Sequence, residues 1–115
     1  MTETQVLDRL IRVRRVRARL ALAALGRSQA RQVAETALLE RVAVLLGQGG
    51  SAPGPVAANA GASRVTADAM LGRLADDIAR RLAGTALEKR GLAEALGRAR
   101  AAVDAAVERR AEREA

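Results

Sequence analysis

Apolar residues recur every three or four positions along two stretches of the chain, which is the spacing of one face of an α-helix. In the first stretch, 1–46, Thr2 and Gln5 have the spacing of a capping box at a helix N-terminus. A first apolar stripe follows, and it is interrupted at 26–29, where Gly26 makes a bend most favourable. Its members are Val6, Leu10, Val13, Val16, Leu20 and Ala24, then Ala30, Ala34, Leu38, Val42 and Leu45. We expect this stripe to pack against a second helix.

The second stretch, 63–115, contains one clear apolar stripe, and Ser63 or Thr66 is expected to cap its helix. The stripe comprises Leu71, Leu74, Ile78, Leu82, Thr85, Lys89, Leu92, Leu96, Ala99, Val103 and Ala106. Its steps alternate between three and four residues, except that two steps of four follow each other at 74–78–82. Such a stutter locally unwinds a left-handed supercoil, so we predict an irregularity there.

Between these arms lies an uncharged segment, 47–62, that holds five glycines and both prolines of the chain. Glycine leaves the backbone free and proline removes a helix hydrogen-bond donor, so the segment is predicted to be a flexible linker. The sequence therefore predicts an all-α single domain, in which two long helices fold as an antiparallel coiled-coil hairpin. Pairing of the arms with other copies of the chain fits the same pattern and stays open.

A second apolar stripe of the first arm lies on a different helical face and comprises Leu7, Ile11, Ala18, Leu22 and Leu25. A two-helix hairpin covers one stripe per helix, so we expect this stripe to be exposed unless another molecule covers it. A chance scatter of leucines in an Ala- and Leu-rich helix, self-association and a different protein partner are three explanations that the pattern leaves open.

The chain is strongly basic, with a net charge of +7, and only Lys89 among its 20 basic residues is not arginine. Six arginines fall within 9–19 with no acidic residue between them, and at helical spacing they encircle much of the helix. A solvated basic collar, an acidic protein partner, and a nucleic acid or anionic membrane surface are the competing interpretations. Because the chain has no aromatic residue to stack on bases, phosphate attraction would give only non-specific nucleic-acid binding.

Catalytic chemistry has little support in the sequence. The chain has no cysteine and no histidine, which excludes thiolate and imidazole metal sites and catalysis by either residue. Asp76 and Asp77 are spaced for ion pairs with Arg80 and Arg81, and no phosphate-binding loop follows a strand. We expect no enzyme activity, no cofactor and no metal site, and we expect a cytoplasmic protein without a transmembrane segment.

The overall pattern resembles the FliJ-type soluble component of bacterial flagellar (type III) export. The similarity is carried by LDRLIRVRR at 7–15, by the Ala- and Leu-rich arm that follows, and by a return arm ending in AVERRAE at 106–112. The resemblance implies a basic antiparallel coiled-coil hairpin that contacts the export ATPase, the export gate and substrate chaperones. It assigns no role to any individual residue.

The sequence thus predicts a non-enzymatic coiled-coil adaptor, with a flagellar export component as its most specific form. We expect it to bind an acidic or grooved protein partner. The expected partner-binding residues are Leu7, Ile11, Arg14, Arg15, Arg19, Leu22 and Leu25. The alternatives are an arginine-rich helical protein that binds nucleic acid non-specifically, and a structural coiled-coil oligomer.

Overall fold

The chain folds into two long helices, as seen in a computed structural model that describes residues 2–48 and 58–114. Helix α1 spans Glu3–Gln48 and helix α2 spans Ala58–Glu114. This confirms the predicted all-α hairpin of two antiparallel helices. Helix α1 continues through Gly26. Neither helix is long and apolar enough, within the described residues, to cross a membrane.

The ends of the helices differ in part from the expected ones. Of the predicted linker, 49–57 lie outside the described residues, while 47–48 and 58–62 belong to α1 and α2. Because α2 begins at Ala58, the prediction that Ser63 or Thr66 caps it is wrong. Alanine has the highest helix propensity of all residues, and the alanines before Ser63 outweigh the single Gly61 among them.

The N-terminus of α1 has the predicted capping box. The backbone N–H of Gln5 donates to Thr2 Oγ1 at 3.2 Å, and the backbone N–H of Thr2 donates to Gln5 Oε1 at 2.9 Å. Two backbone donors at the helix start, which have no acceptor within the helix, are thereby satisfied. This local motif needs no tertiary contact, which is why its sequence signature was sufficient.

The face of α2 that packs in the hairpin, which we call the α2 seam, follows an unbroken alternation of four- and three-residue steps. Ten of the eleven predicted positions are buried or half-buried. The exception is Leu74, which is exposed, while Ala75 takes the half-buried position. The predicted stutter is therefore wrong, since the seam passes from Leu71 through Ala75 to Ile78 with the regular spacing. A continuous repeat of seven residues per two turns is typical of a left-handed coiled coil.

The corresponding α1 seam differs from the predicted stripe. Its buried and half-buried positions are Leu7, Ile11, Arg14, Ala18, Ala21, Leu25, Ser28, Gln32, Glu35, Leu39, Val42 and Leu46. Among the members of the first apolar stripe, Val42 is buried and Leu10 and Ala24 are half-buried, whereas the others, among them Val13, Val16 and Leu20, are exposed. The predicted packing face of α1 was therefore wrong, and the structure places the second stripe, except for the exposed Leu22, against α2.

The hairpin divides into two compact units, Met1–Gln29 with Leu87–Ala115, and Ala30–Ala86. In the first unit, Glu3 Oε1 pairs with Arg113 Nη2 at 2.9 Å, Asp8 pairs with Arg110, and Arg14 contacts Ala102. The partner numbers fall as the α1 numbers rise, so the helices of this unit are antiparallel. In the second unit, the Thr85 hydroxyl donates to Glu35 Oε2 at 3.1 Å.

Candidate partner-binding groove

The seven residues predicted to bind a partner fall into two groups. Leu7 and Ile11 are only 6% and 7% exposed, and Leu25 is half-buried, because all three lie in the α1 seam. The expectation that this stripe is exposed is therefore wrong for these residues, which hold the hairpin together. Arg14 also belongs to the seam, and its Nη1 donates to the carbonyl oxygen of Ala102 at 2.8 Å.

The other three residues, Arg15, Arg19 and Leu22, are exposed and line the same surface. They border a depression of about 400 Å³, and Arg15 also borders an adjoining depression of about 440 Å³. We call these two depressions together the arginine groove. It runs between the two helices within the first unit. Its lining residues are Asp8, Ile11, Arg12, Arg15, Ala18, Arg19 and Leu22 from α1, and Arg100, Val103, Asp104, Val107, Arg110, Ala111 and Glu114 from α2.

The walls of the arginine groove carry uncompensated positive charge. At one end, Arg110 is neutralised by Asp8 and by Glu114, whose Oε1 lies 3.2 Å from Arg110 Nη2. Arg12, Arg15, Arg19 and Arg100, in contrast, form no ion pair with any residue in 2–48 or 58–114. At the other end of the groove both walls are therefore basic, and Asp104 is the one acidic residue that borders them.

The floor of the arginine groove is apolar. Ile11 is buried, and Ala18 and Val103 are half-buried beneath the arginines. Leu22 and Val107 remain 49% and 40% exposed, so a molecule in the groove would cover them further. Burial of apolar surface contributes about 25 cal/mol per Å², and charged walls add orientation to that attraction. The groove can therefore recognise a ligand that is both apolar and acidic.

The α2 half of the groove was not predicted from the sequence. Arg100 and Val107 stand beside the α2 seam, and nothing in the α2 pattern alone marks them as functional. Their position opposite 8–22 depends on the antiparallel register of the first unit, which the ion pairs of Asp8 and Glu3 display. A search for basic residues that flank both predicted seams would have found Arg100.

A second surface, the outer face of α1, is apolar as well. It comprises Val13, Val16 and Leu20, which are exposed on the side away from the seam, and Arg9 and Arg17 stand among them. A shallow depression of about 330 Å³ lies beside Val13 and Val16. Because a single helix forms this face, it offers a convex ridge and not a groove.

The paired aspartates of α2 have an ordinary structural role. Asp77 forms an ion pair with Arg80, one turn further along the same helix, as an exposed i,i+3 pair. The predicted i,i+4 pairs, Asp76 with Arg80 and Asp77 with Arg81, are not formed in the described part of the chain, where Arg80 pairs with Asp77 instead. Within the described ranges no group of three or more acidic side chains is placed to hold a metal ion.

Comparison with known proteins gives no relative: no protein family, characterised protein or solved structure matches this chain. The similarity to FliJ-type export components therefore stays a hypothesis that rests on the sequence pattern.

Proposed function

We propose that the chain is a non-enzymatic coiled-coil adaptor whose arginine groove binds a protein partner. The observation that carries this proposal is the combination of an accessible apolar floor with four arginines that have no ion-pair partner in the described part of the chain. Desolvating unpaired arginines without supplying acids would be unfavourable, so the groove favours an acidic partner over an uncharged one.

Two tasks are divided between the residues of the second stripe. Leu7 and Ile11 hold α1 against α2, and their burial leaves little area for contact with another molecule. Leu22, with Arg15 and Arg19, faces the groove and contributes little to the seam. Leu22→Ser should therefore weaken partner binding with little loss of helicity, whereas Ile11→Ser should unfold the hairpin.

As its cellular role we propose a cytoplasmic component of flagellar (type III) export, with the export ATPase, the gate or substrate chaperones as partners. The support is the sequence resemblance at 7–15 and 106–112. Both segments contribute lining residues to the arginine groove, among them Arg12, Arg15 and Val107. The resemblance and the groove thus concern the same end of the hairpin.

A second candidate function, non-specific binding of nucleic acid, has its own observation in favour. Arg9, Arg12, Arg15, Arg17 and Arg19 are all exposed, and they surround much of α1. Such a collar would attract phosphates from several directions, and its affinity would fall steeply with salt.

The experiment is a nuclease-treated pull-down from the native cell, with captured proteins identified by mass spectrometry. The wild-type chain is compared with Arg15→Glu/Arg19→Glu in the groove and with Arg9→Glu/Arg17→Glu, which makes the same charge change outside it. We expect the export ATPase, gate or a chaperone with the wild type and the second variant, and its loss with the first. Absence of export proteins from all three contradicts the export role. Capture of nucleic acid alone, removed by nuclease, favours the second candidate.

A further inference from the structure

The distribution of charge along the arginine groove is uneven, which restricts what can occupy it. Three basic residues of one wall, Arg12, Arg15 and Arg19, follow each other at steps of three and four residues on α1. Residues at this spacing lie on one helical face, so they present a ladder of positive charge parallel to the helix axis. Arg100 lies on the opposite wall, which α2 forms, and borders the same depression as Arg15 and Arg19.

The apolar floor between these walls resembles the seam of a three-helix coiled coil from which the third helix is missing. Ala18, Leu22, Val103 and Val107 lie along the groove, and two of them are substantially exposed. From Asp8 to Leu22 the groove extends over about four turns of α1, or roughly 21 Å at 1.5 Å per residue. An α-helix of about 15 residues, with apolar side chains every three to four positions, matches this length and period.

We infer that the arginine groove is occupied by an acidic amphipathic α-helix, which adds a third helix to the first unit. This inference rests on the proposed adaptor function and names the chemical class of its partner. The apolar face of the incoming helix covers Leu22 and Val107, and its acidic residues flank that face where they meet Arg15, Arg19 and Arg100. Near Asp8 and Glu114 it carries no acidic residue, because like charges there would repel.

The same observations disfavour a phosphate polymer as the occupant. A nucleic acid would satisfy the arginines but would place charged backbone against the apolar floor formed by Leu22, Val103 and Val107, where it has no partner. An aromatic side chain that could stack on a base is also absent from the whole chain. An amphipathic helix brings acidic side chains to the arginines of the walls and apolar side chains to the floor.

The test measures binding of three labelled synthetic peptides to the full chain by fluorescence anisotropy at physiological ionic strength, where the Debye length of about 8 Å screens distant charges. The first peptide places leucines on one helical face and glutamates on both flanks. The second has the same composition but scatters its leucines around the helix, and the third replaces glutamate by lysine. A duplex DNA serves as a fourth probe, and circular dichroism checks that each protein variant is folded.

We expect the first peptide to bind the wild type at least about tenfold more tightly than the other two peptides. Arg15→Glu/Arg19→Glu should weaken that binding by about tenfold or more, and Leu22→Ser should weaken it as well. Arg9→Glu/Arg17→Glu, with the same change in net charge, should alter it by less than about threefold, since these residues lie outside the groove.

Any of three peptide results overturns the inference: no binding of the first peptide, equal binding of the first and second peptides, or equal loss of peptide binding in the two double variants. Tighter binding of duplex DNA than of the first peptide, lost equally in both double variants, also overturns it. Failure of the proposed adaptor function and failure of the helix inference give different results. A groove-dependent export partner without peptide binding leaves the adaptor function standing, and peptide binding without an export partner leaves only the helix inference.

Discussion

Four glycines inside α2 supply the prediction with the largest expected gain in stability. Gly72, Gly84, Gly91 and Gly97 lie in the interior of Ala58–Glu114, and a methyl group built on each meets no atom within 4 Å. Close packing of the helices therefore does not require glycine at these four positions. Each has ordinary backbone geometry, so alanine fits without strain.

Replacing all four glycines by alanine should raise the free energy of unfolding by about 3–4 kcal/mol. The figure follows from the roughly 0.8–1.0 kcal/mol by which alanine exceeds glycine in a helix interior, summed over sites that share no contact. For a chain of this size, the corresponding rise in Tm is of the order of 10–20 °C. Urea unfolding followed by circular dichroism measures the change in free energy, and the m-value should stay constant.

Gly47 provides the matched control, because it lies in the last turn of α1 and also has open space around it. Helix ends fray, so Gly47→Ala should gain much less than any one of the four interior sites. A quadruple variant that is no more stable than the wild type would refute the argument. Loss of stability would mean that one of the glycines is required for packing or for a bend.

Two smaller predictions concern individual polar side chains. Ser28 is 0% exposed and its hydroxyl has no hydrogen-bond partner among the described residues, so Ser28→Ala should stabilise the chain by about 1–2 kcal/mol. The exposed Ser63, changed in the same way, should gain only the difference in helix propensity, about 0.5 kcal/mol, and equal gains in thermal unfolding would contradict the explanation. Thr2→Ala removes the capping box and should cost about 1 kcal/mol, whereas Thr4→Ala, in the same turn, should cost less than about 0.5 kcal/mol in the same assay.

The two helices differ in how far their packing could be predicted. Helix α2 has one apolar stripe, and the prediction erred only where it preferred the larger side chain of Leu74 to Ala75. Side-chain size was a poorer guide than the repeat, since a regular seven-residue spacing places position 75 between Leu71 and Ile78.

Helix α1 has two stripes displaced by one residue, and hydrophobicity alone favoured the wrong one. Its true seam includes Arg14, Ser28, Gln32 and Glu35, which a search for apolar residues passes over. Two of these polar residues are accommodated by particular partners, Arg14 by the carbonyl of Ala102 and Glu35 by the hydroxyl of Thr85. Such partners belong to the other helix, so the choice between the stripes is a tertiary property.

Prediction of the candidate site from the sequence is limited in the same way, because the site also depends on contacts between the two helices. Arg15, Arg19 and Leu22 were predicted because they cluster on α1, and the structure brings them to one groove. Arg100 and Val103, from α2, complete it, and their placement depends on the register between the helices. That register is fixed by the seam, so a wrong α1 seam places the wrong α1 residues opposite Arg100 and Val103.

The polar residues of the α1 seam also bear on how the adaptor would work. The Ser28 hydroxyl in this seam has no hydrogen-bond partner in 2–48 or 58–114, and Gln32 and Glu35 stand where leucine would pack, which gives the hairpin less stability than its length suggests. A ligand that binds only the folded chain stabilises it by about 2.7 kcal/mol at a concentration 100 times its Kd. That gain is of the same size as the penalties that the seam and the interior glycines impose. Occupation of the arginine groove would therefore be coupled to the order of the whole first unit, because the groove exists only while α1 and α2 hold their antiparallel register.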